Sequence, residues 1–337
     1  MASIDRHYSE HGFTLVELMV TMAILGAIMV GVIGVLTTQN RAYHSEESIL
    51  DMQMNNRVGL DRLVRIIRMA GFGCAGNINK GISNDTDSYS KALVAVNSST
   101  VPDKLTVISG WQQVGMIKNI QDTNDPHEKL PKSDTIQIVL LPDVSNPFGD
   151  KDSGFKKYLF IAPAEKMNFL TIDSLNSTTL KLTENVVVTE GSAVFKIRPY
   201  TFRMYTDSYA IPCLGIDDGS GIDSIAENIE DFQLQYGWDA DHNGTIGSSE
   251  WVNDPSGNEE KIQAIRIYLL TRSAKPDREF LDRHDDNPVM AGKQYIVADH
   301  IITLDTNDSN GLNSTYDHHY HRFLTVTVVF LRNLNLL

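Results

Sequence analysis

Twelve residues carry the sharpest chemical pattern in the chain: Asp239-Ala240-Asp241-His242-Asn243-Gly244-Thr245-Ile246-Gly247-Ser248-Ser249-Glu250. Oxygen-bearing side chains recur at alternate positions, a glycine follows, and a glutamate closes the run. This is the D-x-[DN]-x-[DN]-G-x5-E spacing of a calcium loop. Calcium takes about six to eight oxygens, one pair of them from a bidentate carboxylate. Asp239, Asp241 and Asn243 offer side-chain oxygens, Thr245 its carbonyl, Gly247 a position for water, and Glu250 the closing carboxylate. Gly244 permits the sharp turn, and Ile246 is apolar enough to pin the loop to a body. A strand-like stretch precedes the run, so a paired helix–loop–helix sensor is not expected. The chemistry expected is one structural Ca2+; the plainer reading of the same residues is an acidic hairpin turn.

Other candidate groups are weaker. In Asp317-His318-His319-Tyr320-His321 alternate residues would share one face of a strand, which suits zinc, but no fourth ligand is evident and a solvated strand start is favoured. Gly71-Phe72-Gly73-Cys74-Ala75-Gly76 has the G-x-G-x-x-G form. A helix-like stretch precedes it where a dinucleotide site needs a strand, so these glycines are read as closing a helix. No Ser/His/Asp or Cys/His set stands at a recognisable spacing, and no enzyme is expected. Cys74 and Cys213 are too few for a disulfide scaffold. In an oxidising compartment they either form one bridge over a long loop or stand as two buried thiols. The bridge is the expectation after export.

The elements that must carry these residues begin with residues 13–36, FTLVELMVTMAILGAIMVGVIGVL, in which Glu17 is the one ionisable side chain. As a helix this run spans a hydrocarbon core of about 30 Å. It is longer than a cleaved signal's apolar region and lacks an A-x-A site. A carboxylate inside such a run is costly and needs a partner. Ala23, Ala27 and Gly31 form a small-residue stripe, read either as a close helix–helix contact or as the small residues common in any membrane span. With 42% hydrophobic and 21% charged residues over 337 positions, the remainder can fold as a globular body. A net charge of -14 argues against nucleic acid as a partner.

The stretch Gly12-Phe13-Thr14-Leu15-Val16-Glu17-Leu18 resembles the N-terminal signature of type IV prepilins and type II secretion pseudopilins. The resemblance implies a leader, 1–12, removed after Gly12 by prepilin peptidase, and N-methylation of the new terminus at Phe13. It gives Glu17 a role in subunit assembly, neutralising the amine of a neighbour's Phe13 and so fixing axial stagger. Arg6 is the leader's only Lys or Arg, beside Asp5 and Glu10, which departs from a strongly basic leader. Ala226–Tyr236, Val328–Asn333 and Ile67–Gly73 are similar to segments of PilW-type minor pilins and of the related J-type pseudopilins.

From Gln39 the run turns amphipathic, with Ile49, Met52, Leu60, Leu63 and Ile67 at helical steps. A helix over 13–70 is expected, transmembrane over 13–36 and docked afterwards. Beyond it, strands are expected at 105–109, 135–141, 193–197, 232–238, 264–270 and 323–331. Loops are expected at 118–134, 274–287 and 305–317. The fold class is α+β: the long helix packed on a mostly antiparallel β body, 71–337, as in pilins.

The implied function is a minor pilin that helps initiate a type IV pilus, at or near the tip, where a large body is tolerated. The alternatives are a J-type pseudopilin, or a calcium-dependent adhesive module on a pilin-type anchor. Partners would be other minor and major pilins, prepilin peptidase and the inner-membrane assembly platform. The precursor would sit in the inner membrane with its body in the periplasm, and later in the pilus or pseudopilus.

Overall fold

The computed structural model describes residues 14–72, 77–83, 88–120, 132–142, 158–162, 170–176, 179–187, 190–218, 221–277, 280, 294–304 and 319–332. Two compact units are distinguished, Met1–Leu50 and Asp51–Leu337, and helix α1 (Leu15–Arg68) crosses the boundary between them.

In the first unit the helix opens with a capping box. Thr14 stands at the N-cap, and its backbone N–H and hydroxyl both donate to Glu17 Oε2 at 2.9 Å, while Glu17 N–H donates to Thr14 Oγ1 at 3.3 Å. Residues 14–44 are exposed throughout. The hydroxyls within the run bond back to helix carbonyls: Thr21 to Leu18, Thr37 to Ile33 and Gly34, and Thr38 to Gly34. Such self-satisfied hydroxyls suit an apolar medium, where an unpaired polar group is costly. By length and composition this helix can cross a membrane.

In the second unit α1 turns amphipathic. Met52, Asn56, Gly59, Leu63, Ile66 and Ile67 are its buried residues, spaced at three and four. The helix stops at Arg68, and Gly71 takes φ 76, a left-handed conformation that costs glycine little. Its N–H donates to the Ile108 carbonyl at 3.0 Å, tying the helix end to the body.

The β elements follow in order. They are β1 (Asn77–Ser83), β2 (Ser88–Lys91), β3 (Leu93–Val96), β4 (Lys104–Ile120), β5 (Lys132–Leu140), β6 (Tyr158–Ala162), β7 (Leu170–Asn176) and β8 (Thr179–Val187). Then come β9 (Ala193–Thr206), β10 (Pro212–Asp217), β11 (Ile222–Glu227), β12 (Ile229–Gly237), β13 (Trp251–Val252), β14 (Ala264–Arg272), β15 (Gln294–Val297), β16 (His300–Thr303) and β17 (Arg322–Phe330). One sheet has the order β11-β10-β9-β6-β7-β8-β5-β4-β3. A further β9–β4 pairing closes β4, β9, β6, β7, β8 and β5 into a ring. A second sheet has the order β13-β12-β14-β17, and β1–β2 and β15–β16 are hairpins. Every recorded pairing is antiparallel. This is the expected α+β class: a long apolar N-terminal helix with antiparallel sheets in a globular body.

All six expected strands are present, and several run longer. The strand expected at 193–197 continues to Thr206 through Pro199, which reads in sequence as a breaker. Pro199 lies past the residues paired with β6 and before those paired with β10, so its missing N–H is tolerated there. The loop expected at 118–134 is shorter. β4 continues to Ile120, which pairs with Ile136, and an irregularity between Ile117 and Asn119 absorbs the polar residues.

The core joins both sheets to the docked half of α1. Leu63 and Ile67 lie fully buried with Leu105, Ile108, Phe202, Phe232, Leu234 and Ile267. Burying each such side chain is worth about 1.5–3 kcal/mol. Where α1 crosses β11 there is room only for glycine, because a Cβ on Gly59 would stand 2.7 Å from the Ala226 Cβ. Gly59→Leu should therefore destabilise the protein by about 1–3 kcal/mol. Gly26→Ala, at a position with nothing within 4 Å, should leave the body unmoved. Chemical unfolding of the two variants checks the contrast, and equal midpoints would refute the close packing at Gly59.

Candidate functional site

The acidic loop hangs from the hairpin of β12 and β13, which pairs Tyr236 with Val252 and Gly237 with Trp251. The chain turns back through a short 3-10 helix, Ser248–Glu250. Gly237 packs tightly, since a Cβ there would meet Ile246 and Trp251 side-chain atoms at 3.0 Å and these would have to give way. Ile246 thus packs down on the strand end, the apolar pin its position in the loop suggested. On the outer side, the Arg266 guanidinium lies 4.0 Å from the Trp251 ring centroid and donates to Gln235 Oε1 at 3.0 Å.

Within the loop, backbone N–H groups aim the acids. Asp239 Oδ1 accepts from Asn243 N at 3.0 Å and its Oδ2 from Gly244 N at 2.7 Å. Asp241 Oδ1 accepts from Asn243 N, and Asn243 Oδ1 accepts from both the Thr245 amide and its hydroxyl. Glu250 reaches back across the loop: Oε1 accepts from Ala240 N at 2.6 Å and Oε2 from Gly247 N at 2.6 Å. His242 and Gly244 take positive φ, 59° and 86°, which makes the tight turn. Asp239, Asp241 and Glu250 each bring a carboxylate oxygen within 4.8 Å of the others. Among the described residues this is the one such group of three or more acids, histidines or cysteines. The Gly247 and Ala240 amides hold the Glu250 carboxyl below its ordinary range. The loop offers an oxygen-only donor set that could hold a metal ion.

The other sequence candidates fare differently. Gly12, Phe13, Cys74, Asp317 and His318 lie outside the described residues. Cys213 is a buried free thiol that donates to the Ile211 carbonyl at 3.4 Å, and burial pushes its pKa up. His321 stacks on Phe280 with centroids 3.7 Å apart and faces Asp277 at 3.6 Å. Glu17 is engaged with Thr14, as described above; the T-x-x-E spacing was a legible sign of that cap.

One buried network is centred on Glu230, which stands between Ile229 and Asp231 in sequence. Glu230 Oε2 and Oε1 accept from Arg322 Nε at 2.6 Å and Nη2 at 2.9 Å, and Arg272 approaches Oε1 at 3.5 Å. Both arginines also lie over the Tyr320 ring. Just before it Asn228 takes φ 58, and its carbonyl accepts from Arg272 N. These contacts give the Asn228-Ile229-Glu230 run its physical sense: a left-handed corner, a core isoleucine, then an ion pair locking β12 to β14 and β17.

Residues 201–333, which contain this network and the acidic loop, match the family model for Type IV Pilus-assembly protein W. Residues 8–33 match the prokaryotic N-terminal methylation motif. A type IV-like pilin from Thermus thermophilus aligns over 84% of this chain and 97% of its own, at 12% identity and a TM-score of 0.35, too loose a superposition to add weight. No curated protein matches the chain. An apolar N-terminal helix bearing the methylation motif, followed by an antiparallel β body, defines a type IV pilin-like protein. The C-terminal match, over residues 201–333, supports a PilW-type minor pilin within that class.

Proposed function

We propose that this minor pilin is cleaved after Gly12 by prepilin peptidase, methylated at Phe13, and assembled through α1 at or near the tip of a type IV pilus, where it helps start the filament. The supporting observation is the coupling of a methylation motif at 8–33 to an exposed apolar helix and a PilW segment at 201–333. Its partners are the other minor and major pilins and the inner-membrane assembly platform. The body faces the periplasm before assembly and the cell surface after it.

In this reading Glu17 changes partner. In the free subunit it accepts from Thr14. In the filament it would neutralise the cationic amine of a neighbour's Phe13, because an unpaired charge in a low-dielectric medium costs far more than a paired one. Terminal mass spectrometry of membrane-extracted protein should find the mature chain starting at Phe13, and an intact Met1 terminus would contradict the assignment. Glu17→Ala should insert normally, since the span becomes more apolar, yet fail to co-purify with partner pilins. Normal co-purification and piliation would reject the pairing role.

The acidic loop binds one Ca2+ in this account, held by Asp239, Asp241, Asn243, the Thr245 carbonyl and Glu250. The ion would relieve the mutual repulsion of three crowded carboxylates and steady the β12–β13 hairpin. Binding only to the folded state, at a hundredfold excess over Kd, is worth about 2.7 kcal/mol. Thermal unfolding of detergent-solubilised full-length protein should show a higher midpoint with calcium than with chelator, with magnesium a poor substitute. The Asp239→Ala, Asp241→Ala double variant should not respond. Equal midpoints with no binding heat would leave the loop an acidic turn.

A further inference from the structure

The second sheet ends on an edge built unlike the other sheet edges. β3 is four residues long and β13 two, while β11 has six residues, a shift in its register with β10 and two acids, Asp223 and Glu227. Short, irregular or charged edges keep a sheet from joining other chains. β17 has none of these devices. Its nine residues pair with β14 without a register shift, from Arg272↔Arg322 to Ala264↔Phe330. It holds no proline and no lysine, and its one charged side chain, Arg322, is bound to Glu230. Among the described residues no strand lies on its outer side.

Alternation divides β17 between two faces. Asn56 of α1 donates to Thr325 Oγ1 at 2.7 Å and Val329 is fully buried, so Thr325, Thr327 and Val329 face the helix and core. The opposite face carries Leu324, Val326, Val328 and Phe330. Leu324 packs on the apolar cluster shared with the β15–β16 hairpin. Val326, Val328 and Phe330 remain 48%, 39% and 62% exposed, in register with Tyr268, Arg266 and Ala264 of β14. Three large apolar side chains in a row therefore border an open hydrogen-bonding edge.

Such an edge is filled by an extended strand with apolar residues at alternate positions. β17 is itself a strand of that kind. Turned antiparallel about Val326, the midpoint of 322–330, a second copy lays all nine residues against its own: Val326 on Val326, Leu324 on Val328 and Arg322 on Phe330. Each residue of the apolar face then meets a residue of the same face. The contact is isologous and closes on itself. The joined sheet ends on the two-residue β13 at both sides, which leaves no long edge to extend a fibre.

We propose that β17 is a self-pairing edge through which two copies of this chain dimerise, continuing the second sheet across a two-fold axis at Val326. Two chains that each carry a net charge of -14 repel one another, and salt screens that repulsion. The join itself is apolar and backbone-bonded, so added salt strengthens it.

Sedimentation of detergent-solubilised full-length protein reads the dimer. The wild type should show a monomer–dimer equilibrium that moves toward dimer as salt is raised. Val326→Lys, at an exposed position, should keep the thermal midpoint yet raise the dimer dissociation constant at least about tenfold, because like charges then meet at the axis. In a Cys74→Ser, Cys213→Ser background, Val326→Cys should form an intermolecular disulfide under mild oxidation. Directly opposed Cα atoms lie about 4.5–5.5 Å apart, within the range a disulfide spans. Val328→Cys should not cross-link, since its own counterpart lies about 13 Å away along the ladder. Three results would each overturn the proposal. A wild type that stays monomeric and does not cross-link at 326 would leave the edge to a strand of another protein. A Val326→Lys variant that dimerises like the wild type would move the contact to another surface, and equal cross-linking at 326 and 328 would refute the register.

Discussion

One unbroken helix, Leu15–Arg68, has to satisfy two different surroundings, and the rest of the structure is built to accommodate it. Its first half shows apolar side chains on every face and keeps its threonine hydroxyls bonded to its own backbone. That composition suits lipid or the packed helices of a filament, where backbone and side-chain polar groups must be satisfied internally. Its second half has a single buried stripe and donates Leu63 and Ile67 to the core of the body. Gly59 lets it close on Ala226, and Asn56 pins it by donating to Thr271 of β14 and Thr325 of β17.

Polar burial gives the second sheet its register. β12 is buried on both faces, so alternation divides its tasks. Phe232, Leu234 and Tyr236 enter the main core, while Asp231 and Gln233 turn toward the hairpin. At one end Glu230 binds two arginines, and removing one partner of such a pair typically costs about 3–5 kcal/mol because a buried charge is left uncompensated. At the other end Gly237 hands the chain to the acidic loop. The network and the loop are thus opposite ends of one strand, which pairs with β14 from Ile229 to Gly237.

Much of this was legible in the sequence because local pattern decided it. The helix, the six strands and the spacing of Asp239, Asp241 and Glu250 all follow from short-range periodicity or motif. What escaped was set by distance. Glu230 and Arg322 lie 92 positions apart, and Asp231 and His300 are separated by 69. No local pattern joins such residues, and the adjacent acids Glu230 and Asp231 carry no sign in sequence of which partner each will meet. Pro199 is a related case: its tolerance within β9 depends on which neighbour is absent beside it, a property of the sheet. Glu17 was read for its pairing in an assembly, while its bond to Thr14 in the free subunit came from a capping signal in the same residues.

The central claim is that a single helix carries two burial regimes with a change between residues 44 and 52. Single cysteines placed along α1 in a Cys74→Ser, Cys213→Ser background, probed with a water-soluble thiol reagent in intact membranes, test it most directly. Positions 24 and 28 should be protected in membranes and become reactive in detergent that strips the lipid. Position 53 should react in both conditions, and positions 63 and 67 should resist in both until the body is unfolded. Rapid labelling at 63 and 67 in the folded protein, or free labelling at 24 and 28 in membranes, would contradict the account.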